Sequence, residues 1–230
     1  MKKNIFSAMM LALVGFCFTS CDGDKDSEGL SRFTVYAVLE MNGDDFVKLN
    51  VGESFADPGC VATMGGEDVS SKIITNSNVD TSKPGFYTVN YKVLNDDGFP
   101  ASASRDVMVV DPNNFASTYF GESQYGSRHY YNAPINITKR ADGTYLLDDI
   151  AGGFYCYGRY PGYEPTYDFH LESIISLESD NSITLVNQNP NAWYWKLAIN
   201  IVKGTYDPAT GTITLELDFD GDPMYVQLTK

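Results

Sequence analysis

The chain has few of the residues that metal and catalytic sites are usually built from. Its 230 residues include two histidines, His129 and His170, and four cysteines. No Cys-x-x-Cys pair and no histidine cluster offers the ligand spacing of a zinc site. We therefore expect neither a metal nor a cofactor.

Two candidate catalytic patterns fail on their spacing. Residues 121–126 (GESQYG) are not a Gly-x-Ser-x-Gly nucleophile elbow, because the second glycine comes one place late. Asp148 and Asp149 are adjacent, so on a strand they would face opposite sides and could not act together as glycosidase carboxylates. A pair assembled from distant segments stays open, but nothing in the sequence marks one. We predict that the protein is not an enzyme.

Basic residues are also scarce, with 16 Lys and Arg against 30 Asp and Glu and a net charge of −14. Such a chain is repelled by phosphates and lacks the basic stripe that nucleic-acid binding requires. It would not adhere unaided to an anionic lipid surface, so membrane attachment needs an anchor. Asp218, Asp220 and Asp222 alternate at a predicted hairpin tip, where we interpret them as solvated turn residues; weak calcium binding is the alternative.

What the chain does have is an N-terminal secretory pattern. Lys2 and Lys3 precede an apolar run over residues 5–18, which is shorter than the ~20 residues that span a bilayer. The small residues before Cys21 resemble a bacterial lipoprotein signal, in which the cysteine is diacylated and becomes the mature N-terminus. We predict a signal peptide over residues 1–20 and lipidation at Cys21. An ordinary signal peptide or a short membrane anchor is the alternative.

The stretch that follows, residues 21–29 (CDGDKDSEG), is acidic and has no apolar residue to bury. Its composition predicts a disordered tether. It resembles the acidic signal that sends Bacteroidota lipoproteins to the outer face of the outer membrane. We therefore expect a lipid-anchored outer-membrane protein that faces the cell exterior.

Beyond the tether, alternation of apolar and polar residues dominates, and no long stretch has a helical period. This pattern predicts an all-β protein. One strand face is expected to carry Tyr87, Val89, Tyr91 and Val93. Residues 111–114 (DPNN) interrupt the pattern and indicate a linker. We place a first domain at residues 30–111 and a second at residues 112–230.

The first domain resembles the immunoglobulin-like domains of unknown function found in Bacteroidota surface lipoproteins. Three segments carry the resemblance, residues 51–59 (VGESFADPG), 78–91 (NVDTSKPGFYTVNY) and 105–109 (RDVMV), and together it extends over nearly all of residues 40–111. The resemblance implies a β-sandwich that acts as a spacer and holds a functional domain away from the membrane.

The second domain is predicted to contain about eight short antiparallel strands joined by tight turns, which is enough for a small barrel or sandwich. It resembles the C-terminal domain that often follows such an immunoglobulin-like domain. The segments that carry this resemblance are residues 143–145 (GTY), 149–155 (DIAGGFY) and 206–213 (YDPATGTI). The function of that family is not established, so the resemblance implies little chemistry.

A candidate binding region begins at residue 152, where aromatic residues are mixed with glycine and proline. Gly and Pro oppose a regular strand across residues 160–165, so we predict a loop that exposes its rings. Exposed rings stack on sugar faces or grip peptide side chains, and an arginine adds a fork for a carboxylate. The alternative is that most rings fill the core, as we expect for Trp193. The candidate ligand- or partner-binding residues are Tyr157, Arg159, Tyr160, Tyr163, Tyr167, Trp193 and Trp195.

The two cysteines outside the signal region, Cys60 and Cys156, fall in different predicted domains. A disulfide needs Cα atoms within ~7 Å, so we expect no bridge between them. We predict that both act as small buried hydrophobic residues.

These features predict a surface lipoprotein that acts as a non-catalytic accessory subunit for nutrient capture. The resemblance implies a TonB-dependent outer-membrane transporter and its binding lipoprotein, the starch-utilisation-type pair, as partners. The expected cargo is an oligopeptide or a glycan. An independent glycan-binding module and a purely structural spacer are the alternatives.

Overall fold

The computed structural model describes residues 33–163, 166–188 and 198–230, and this part of the chain is predominantly β-strand. The prediction of an all-β fold is confirmed. The predicted signal peptide, the tether with Cys21, and both tryptophans lie outside the described residues. Within the described ranges, no helix has the length and apolar character needed to cross a membrane.

The first seven strands form two facing sheets. The strands are β1 (Ala37–Met41), β2 (Phe46–Asn50), β3 (Cys60–Met64), β4 (Glu67–Asp68), β5 (Ile74–Ser77), β6 (Gly85–Leu94) and β7 (Pro100–Val110), with one 3-10 turn at Ser70–Lys72. One sheet has the order β1-β3-β4 and the other has the order β2-β7-β6-β5. The β2–β7 pair is parallel and the remaining pairs are antiparallel. This arrangement is the predicted immunoglobulin-like sandwich.

Strand β6 shows why these residues form a two-layered structure. Val89, Tyr91 and Val93 are buried, whereas Asn90 and Lys92 between them are exposed. Successive side chains on a strand point to opposite faces, so one face of β6 joins the core and the other meets solvent. The alternation predicted for this segment is confirmed.

The centre of the sandwich contains a charged network. The side chain of Arg105 is fully buried, and its Nε lies 3.1 Å from Oδ1 of Asp57. The hydroxyl of Tyr91 donates to the same carboxylate oxygen at 2.6 Å. The other guanidinium N–H groups donate to the backbone carbonyls of Asn42, Asp44 and Gly59. Because buried charges need partners, this network links four distant segments of the sequence.

The remaining eight strands form one continuous antiparallel sheet. They are β8 (Thr118–Tyr125), β9 (Arg128–Lys139), β10 (Tyr145–Leu147), β11 (Ser173–Leu177), β12 (Ile183–Gln188), β13 (Ile199–Asp207), β14 (Thr212–Phe219) and β15 (Asp222–Thr229), in the order β12-β11-β10-β9-β8-β15-β14-β13. The two edges approach each other through a bridge between Ser182 and Thr205 and a 2.9 Å hydrogen bond from Tyr206 N to Asn181 O. The sheet therefore curls into a nearly closed barrel.

The barrel has an apolar interior. Ile213, Leu215, Leu217 and Phe219 alternate along β14 and are all buried. Inward side chains from the other strands complete this core, among them Tyr119, Ile135, Leu147 and Ile175. A small barrel is filled by side chains in this way, so its ligand sites must lie on its outside or at its ends.

The sandwich and the barrel are joined by a short segment that contains no strand, between Val110 and Thr118. The Thr118 hydroxyl donates to the carbonyl of Val109. Phe120 lies against Phe46 and Phe86 of the sandwich, with ring centroids 5.6 Å away in each case. Aromatic packing therefore supports the junction in addition to the chain itself.

Candidate functional site

A π-helix directly precedes the loop predicted across residues 160–165. It extends over Phe154–Arg159 and follows Gly153, which has a φ of 80°. Two of its hydrogen bonds reach back five residues, from Gly158 N to Gly153 O at 3.2 Å and from Tyr160 N to Tyr155 O at 2.9 Å. The glycine-rich and aromatic composition had not indicated a helix here. Short π-helical turns often occur at functional sites.

The π-helix lies close against strand β9, and two glycines permit this. A Cβ atom on Gly153 would lie 2.1 Å from the Cβ of Ala133, and one on Gly158 would lie 2.3 Å from the ring of Tyr130. The side chain of Phe154, the first residue of the helix, is buried in the barrel core and fixes the helix to the barrel. The helix thus covers the barrel end where β8 turns into β9 and β14 turns into β15.

Beside the π-helix there is a cleft of about 390 Å³, which we call the aromatic cleft. Its rings come from three separate segments and contact one another. The Tyr155 ring stacks on Phe219 at 5.8 Å and on Tyr160 at 6.3 Å. The lining residues are Tyr125, Arg128, Phe154, Tyr155, Arg159, Tyr160 and Phe219.

The aromatic cleft is lined by two arginines although the chain is acidic overall. Arg128 and Arg159 are both exposed, and no lining residue carries a carboxylate. The guanidinium of Arg159 lies 5.2 Å from the ring centroid of Tyr160. Burial raises the pKa of Tyr155 to about 12, so its hydroxyl stays protonated at neutral pH. The arrangement offers flat apolar surfaces together with two forks for an anion.

A larger cleft of about 480 Å³ adjoins the first and shares Tyr125 and Arg128 with it. The Tyr125 hydroxyl donates to Oδ2 of Asp222 at 3.2 Å, and burial raises the pKa of this tyrosine. The other lining residues are mainly small or polar. They are Gln124, Gly126, Ser127, Asp222, Pro223 and Tyr225. We favour the aromatic cleft as the ligand site, because stacked rings and paired arginines give it the more specific chemistry.

Three of the sequence-predicted tyrosines meet around Phe169, next to the aromatic cleft. The ring centroids of Tyr160, Tyr163 and Tyr167 lie 5.1, 6.0 and 6.3 Å from that of buried Phe169. Tyr163 is 51% exposed and Tyr167 is 41% exposed. We call these four residues the aromatic cluster. Since Tyr160 also lines the cleft, the cluster extends its aromatic surface.

The other predicted site residues have different positions. Arg159 lines the cleft, whereas Tyr157 is not among the lining residues and contacts His170, with ring centroids 5.6 Å apart. Trp193 and Trp195 lie outside the described residues. Sequence reasoning missed five lining residues, and the only local signal for two of them was the Gly-Ser turn between Tyr125 and Arg128. The missed residues are Tyr125, Arg128, Phe154, Tyr155 and Phe219.

The premise about Asp148 and Asp149 was wrong, because neither lies on a strand and both are largely buried. Burial raises the pKa of each carboxyl group. Asp148 accepts hydrogen bonds from the backbone and side-chain amides of Asn136. Asp149 accepts from the backbone amides of Ala151, Gly153 and Leu171. The two carboxyl groups therefore hold the turn that leads into the π-helix.

The described cysteines are not bridged to one another. Cys156 is buried, as predicted, whereas Cys60 is only partly buried. Desolvation raises the pKa of the Cys60 thiol, with a further contribution from Asp57.

Comparison with known proteins supports both halves of the architecture. Residues 39–109 match the family model of the Ig-like domain of bacterial surface proteins, and residues 110–230 match a model described as "-like, C-terminal domain". These matches confirm the predicted order of an Ig-like domain followed by a C-terminal domain of a second family. No catalytic family is indicated. No curated protein matches the chain.

Among solved structures, the chain is similar to the lipoprotein BT2262 from Bacteroides thetaiotaomicron. The two sequences are 26% identical, the match covers 85% of this chain and 100% of the other, and the TM-score is 0.57. A more distant likeness is to the CBM51-2 and INT domains of Clostridium perfringens ZmpB, solved with GlcNAc, at 13% identity over 84% of this chain and 43% of the other, with a TM-score of 0.27. That likeness is too weak to carry an argument. The chain belongs to the family defined by the C-terminal domain, which here follows a bacterial surface Ig-like domain.

Proposed function

We propose that the protein is a non-catalytic accessory lipoprotein of a nutrient-uptake complex on the outer membrane. Lipid at Cys21 anchors it, the sandwich acts as a spacer, and the barrel presents the aromatic cleft to cargo. The similarity to a Bacteroides lipoprotein and the surface Ig-like domain support this location. Mass spectrometry of the mature N-terminus tests the anchor, and an unmodified Cys21 contradicts it.

The aromatic cleft is the observation that carries the proposal. Its stacked rings continue into the aromatic cluster, where Tyr163 and Tyr167 are exposed although a core would normally take them. Tyrosine offers a large rigid contact area at a low cost in conformational entropy. Arg128 and Arg159 add charge-assisted hydrogen bonds. The cargo that fits is an oligopeptide or glycan that carries a carboxylate.

The proposed partners rest on the predicted lipid anchor with its acidic tether and on the resemblance to Bacteroidota surface lipoproteins. Such lipoproteins often accompany an outer-membrane transporter. We therefore assign it to a TonB-dependent outer-membrane transporter and the binding lipoprotein that covers it. Affinity purification of the anchored full chain from source-cell membranes is expected to recover this pair. Recovery of the chain without any outer-membrane transporter contradicts the assignment and favours an independent glycan-binding module.

Cargo binding is tested by titrating the full chain with paired ligands. One pair is a short peptide with a free C-terminal carboxylate and the same peptide with a C-terminal amide. The other pair is a uronate-containing oligosaccharide and its neutral counterpart. We expect Arg159→Gln to weaken binding of the charged member at least about tenfold, since a hydrogen bond to a charged group contributes ~1.5–3 kcal/mol. Arg140→Gln is the matched control, because Arg140 is an exposed arginine paired with Asp142 at 3.5 Å.

The titration separates cargo binding from a purely structural role. Binding of one charged ligand that Arg159→Gln weakens and Arg140→Gln preserves supports the proposal. Equal affinity in both variants, or no binding of any of the four ligands, contradicts the assignment of the aromatic cleft. A transporter recovered together with a chain that binds no ligand indicates a structural spacer.

A further inference from the structure

Three side chains with metal-binding atoms meet beside the π-helix. Cys156 belongs to the helix, whereas Asp168 and His170 belong to the segment that leads into β11. One ligand atom from each residue, a thiol sulfur, a carboxylate oxygen and a ring nitrogen, lies within 4.8 Å of the other two. Cys156 lies 12 and 14 positions before the other two residues, so no short metal-binding motif in the sequence contains all three.

The separations suit a tetrahedral cation after small shifts of the ligand atoms. Zinc bonds of ~2.3 Å to sulfur and ~2.0–2.2 Å to nitrogen and oxygen imply ligand atoms about 3.3–3.7 Å apart. A pair at the 4.8 Å limit must therefore approach by about 1.1–1.5 Å, whereas Oδ1 of Asp168 and Nδ1 of His170, 2.8 Å apart, must separate by about 0.5 Å. Asp168 is exposed, so its side chain has room to move.

Hydrogen bonds already orient two of the three ligands. Oδ1 of Asp168 accepts from the backbone N–H of His170 at 2.9 Å and lies 2.8 Å from its Nδ1. Nε2 of the same histidine lies 3.3 Å from the hydroxyl of Tyr157. When Nδ1 binds a cation, Nε2–H can donate to Tyr157. In metal-bound histidines, a hydrogen bond from the ring N–H that does not bind the metal fixes the tautomer and the ring orientation.

The cysteine of the cluster is shielded from solvent. Cys156 is buried, and a cation lowers the free energy of forming its thiolate. Thiolate and imidazole ligands select zinc-type cations over magnesium and calcium, which prefer oxygen.

We infer that Cys156, Asp168 and His170 form a binding site for one zinc-type divalent cation, with a fourth position for water or a ligand atom. Two of the ligands flank Phe169, the centre of the aromatic cluster. The cation therefore fixes the segment that carries the cluster to the π-helix. In this role it stabilises the surface next to the aromatic cleft, and it needs no catalytic function.

Zinc titration of the full chain by calorimetry, with metal analysis after dialysis, tests this inference. We expect one equivalent of Zn²⁺ to bind. Asp168→Ala and His170→Gln should each weaken binding at least about 100-fold, since even loss of an outer-shell partner costs 10–100-fold in affinity. His129→Gln is the matched histidine control and Cys60→Ser is the matched cysteine control; both should bind like the unaltered chain.

Cobalt(II) provides a readout specific for the thiolate. Bound Co²⁺ should show a sulfur-to-metal charge-transfer band that Cys156→Ser removes and Cys60→Ser retains. Zn²⁺ should also raise the melting temperature of the unaltered chain and leave that of Asp168→Ala unchanged. Because Asp168 is exposed, this variant tests the ligand without disturbing the core. No bound equivalent of zinc, full affinity in Asp168→Ala, or cobalt bound without the band overturns the inference.

Discussion

The sandwich and the barrel use their arginine side chains in different ways. In the sandwich, Arg105 is fully buried and pairs with the partly exposed carboxylate of Asp57, so the pair holds separate segments together. In the barrel, Arg128 and Arg159 lie exposed at one end beside a group of rings. Arg105 therefore serves the fold, whereas Arg128 and Arg159 have the exposure that contact with a ligand requires.

Loss of the ion pair at buried Arg105 should produce the largest effect on stability. Asp57→Ala leaves the guanidinium of Arg105 buried without its counter-charge, which typically costs ~3–5 kcal/mol. Chemical denaturation of the full chain measures this change. Lys72→Ala is the control, because its 3.9 Å pair with Asp96 is exposed and such pairs contribute little. Equal stability of the two variants would contradict the role given to the network.

The π-helix provides the next test, this time in the barrel. Gly153→Ala should cost about 2–5 kcal/mol, which combines ~1–2 for a left-handed backbone with ~1–3 for the clash with Ala133. Gly162→Ala separates the two causes, because Gly162 has a φ of 81° but open space around it. The control should lose only the backbone part. A similar loss in both variants would mean that the close contact with β9 is unimportant.

A smaller effect is expected where the two regions meet. Phe120→Ala removes ring contacts with Phe46 and Phe86, and each such pair contributes ~0.5–1.5 kcal/mol beyond its buried area. Calorimetry should show one unfolding transition separating into two as the regions uncouple. Phe99→Ala is the control, because Phe99 is exposed and contacts only Tyr36 among the ring contacts described. An unchanged transition in Phe120→Ala would show that the regions already unfold independently.

Sequence patterns predicted the strands because the period of two is a local property. Strand β6 follows directly from side chains that alternate along a few residues. The π-helix was missed because its long hydrogen bonds depend on the contact of Gly153 and Gly158 with β9. That contact exists only after the sheet has curled.

The candidate site was predicted only in part, for the same reason. Tyr160 and Arg159 stand in one aromatic stretch, so composition alone identified them. Tyr125 and Phe219 come from strands that are almost a hundred residues apart, and only the order of the barrel strands brings them together. Cys156 is also separated in sequence from Asp168 and His170. The chain therefore shows no recognisable spacing of metal ligands, and none was predicted.

The central claim is that exposed rings at the barrel end bind cargo and do not support the fold. The most direct measurement is the affinity and melting temperature of Tyr163→Ala, compared with Tyr36→Ala, a similarly exposed tyrosine near the start of the sandwich. We expect Tyr163→Ala to weaken cargo binding about thirtyfold, as loss of a ~2 kcal/mol hot spot does, with a nearly unchanged melting temperature. Tyr36→Ala should change neither. Full affinity in Tyr163→Ala, or a large fall in its melting temperature, would contradict the claim.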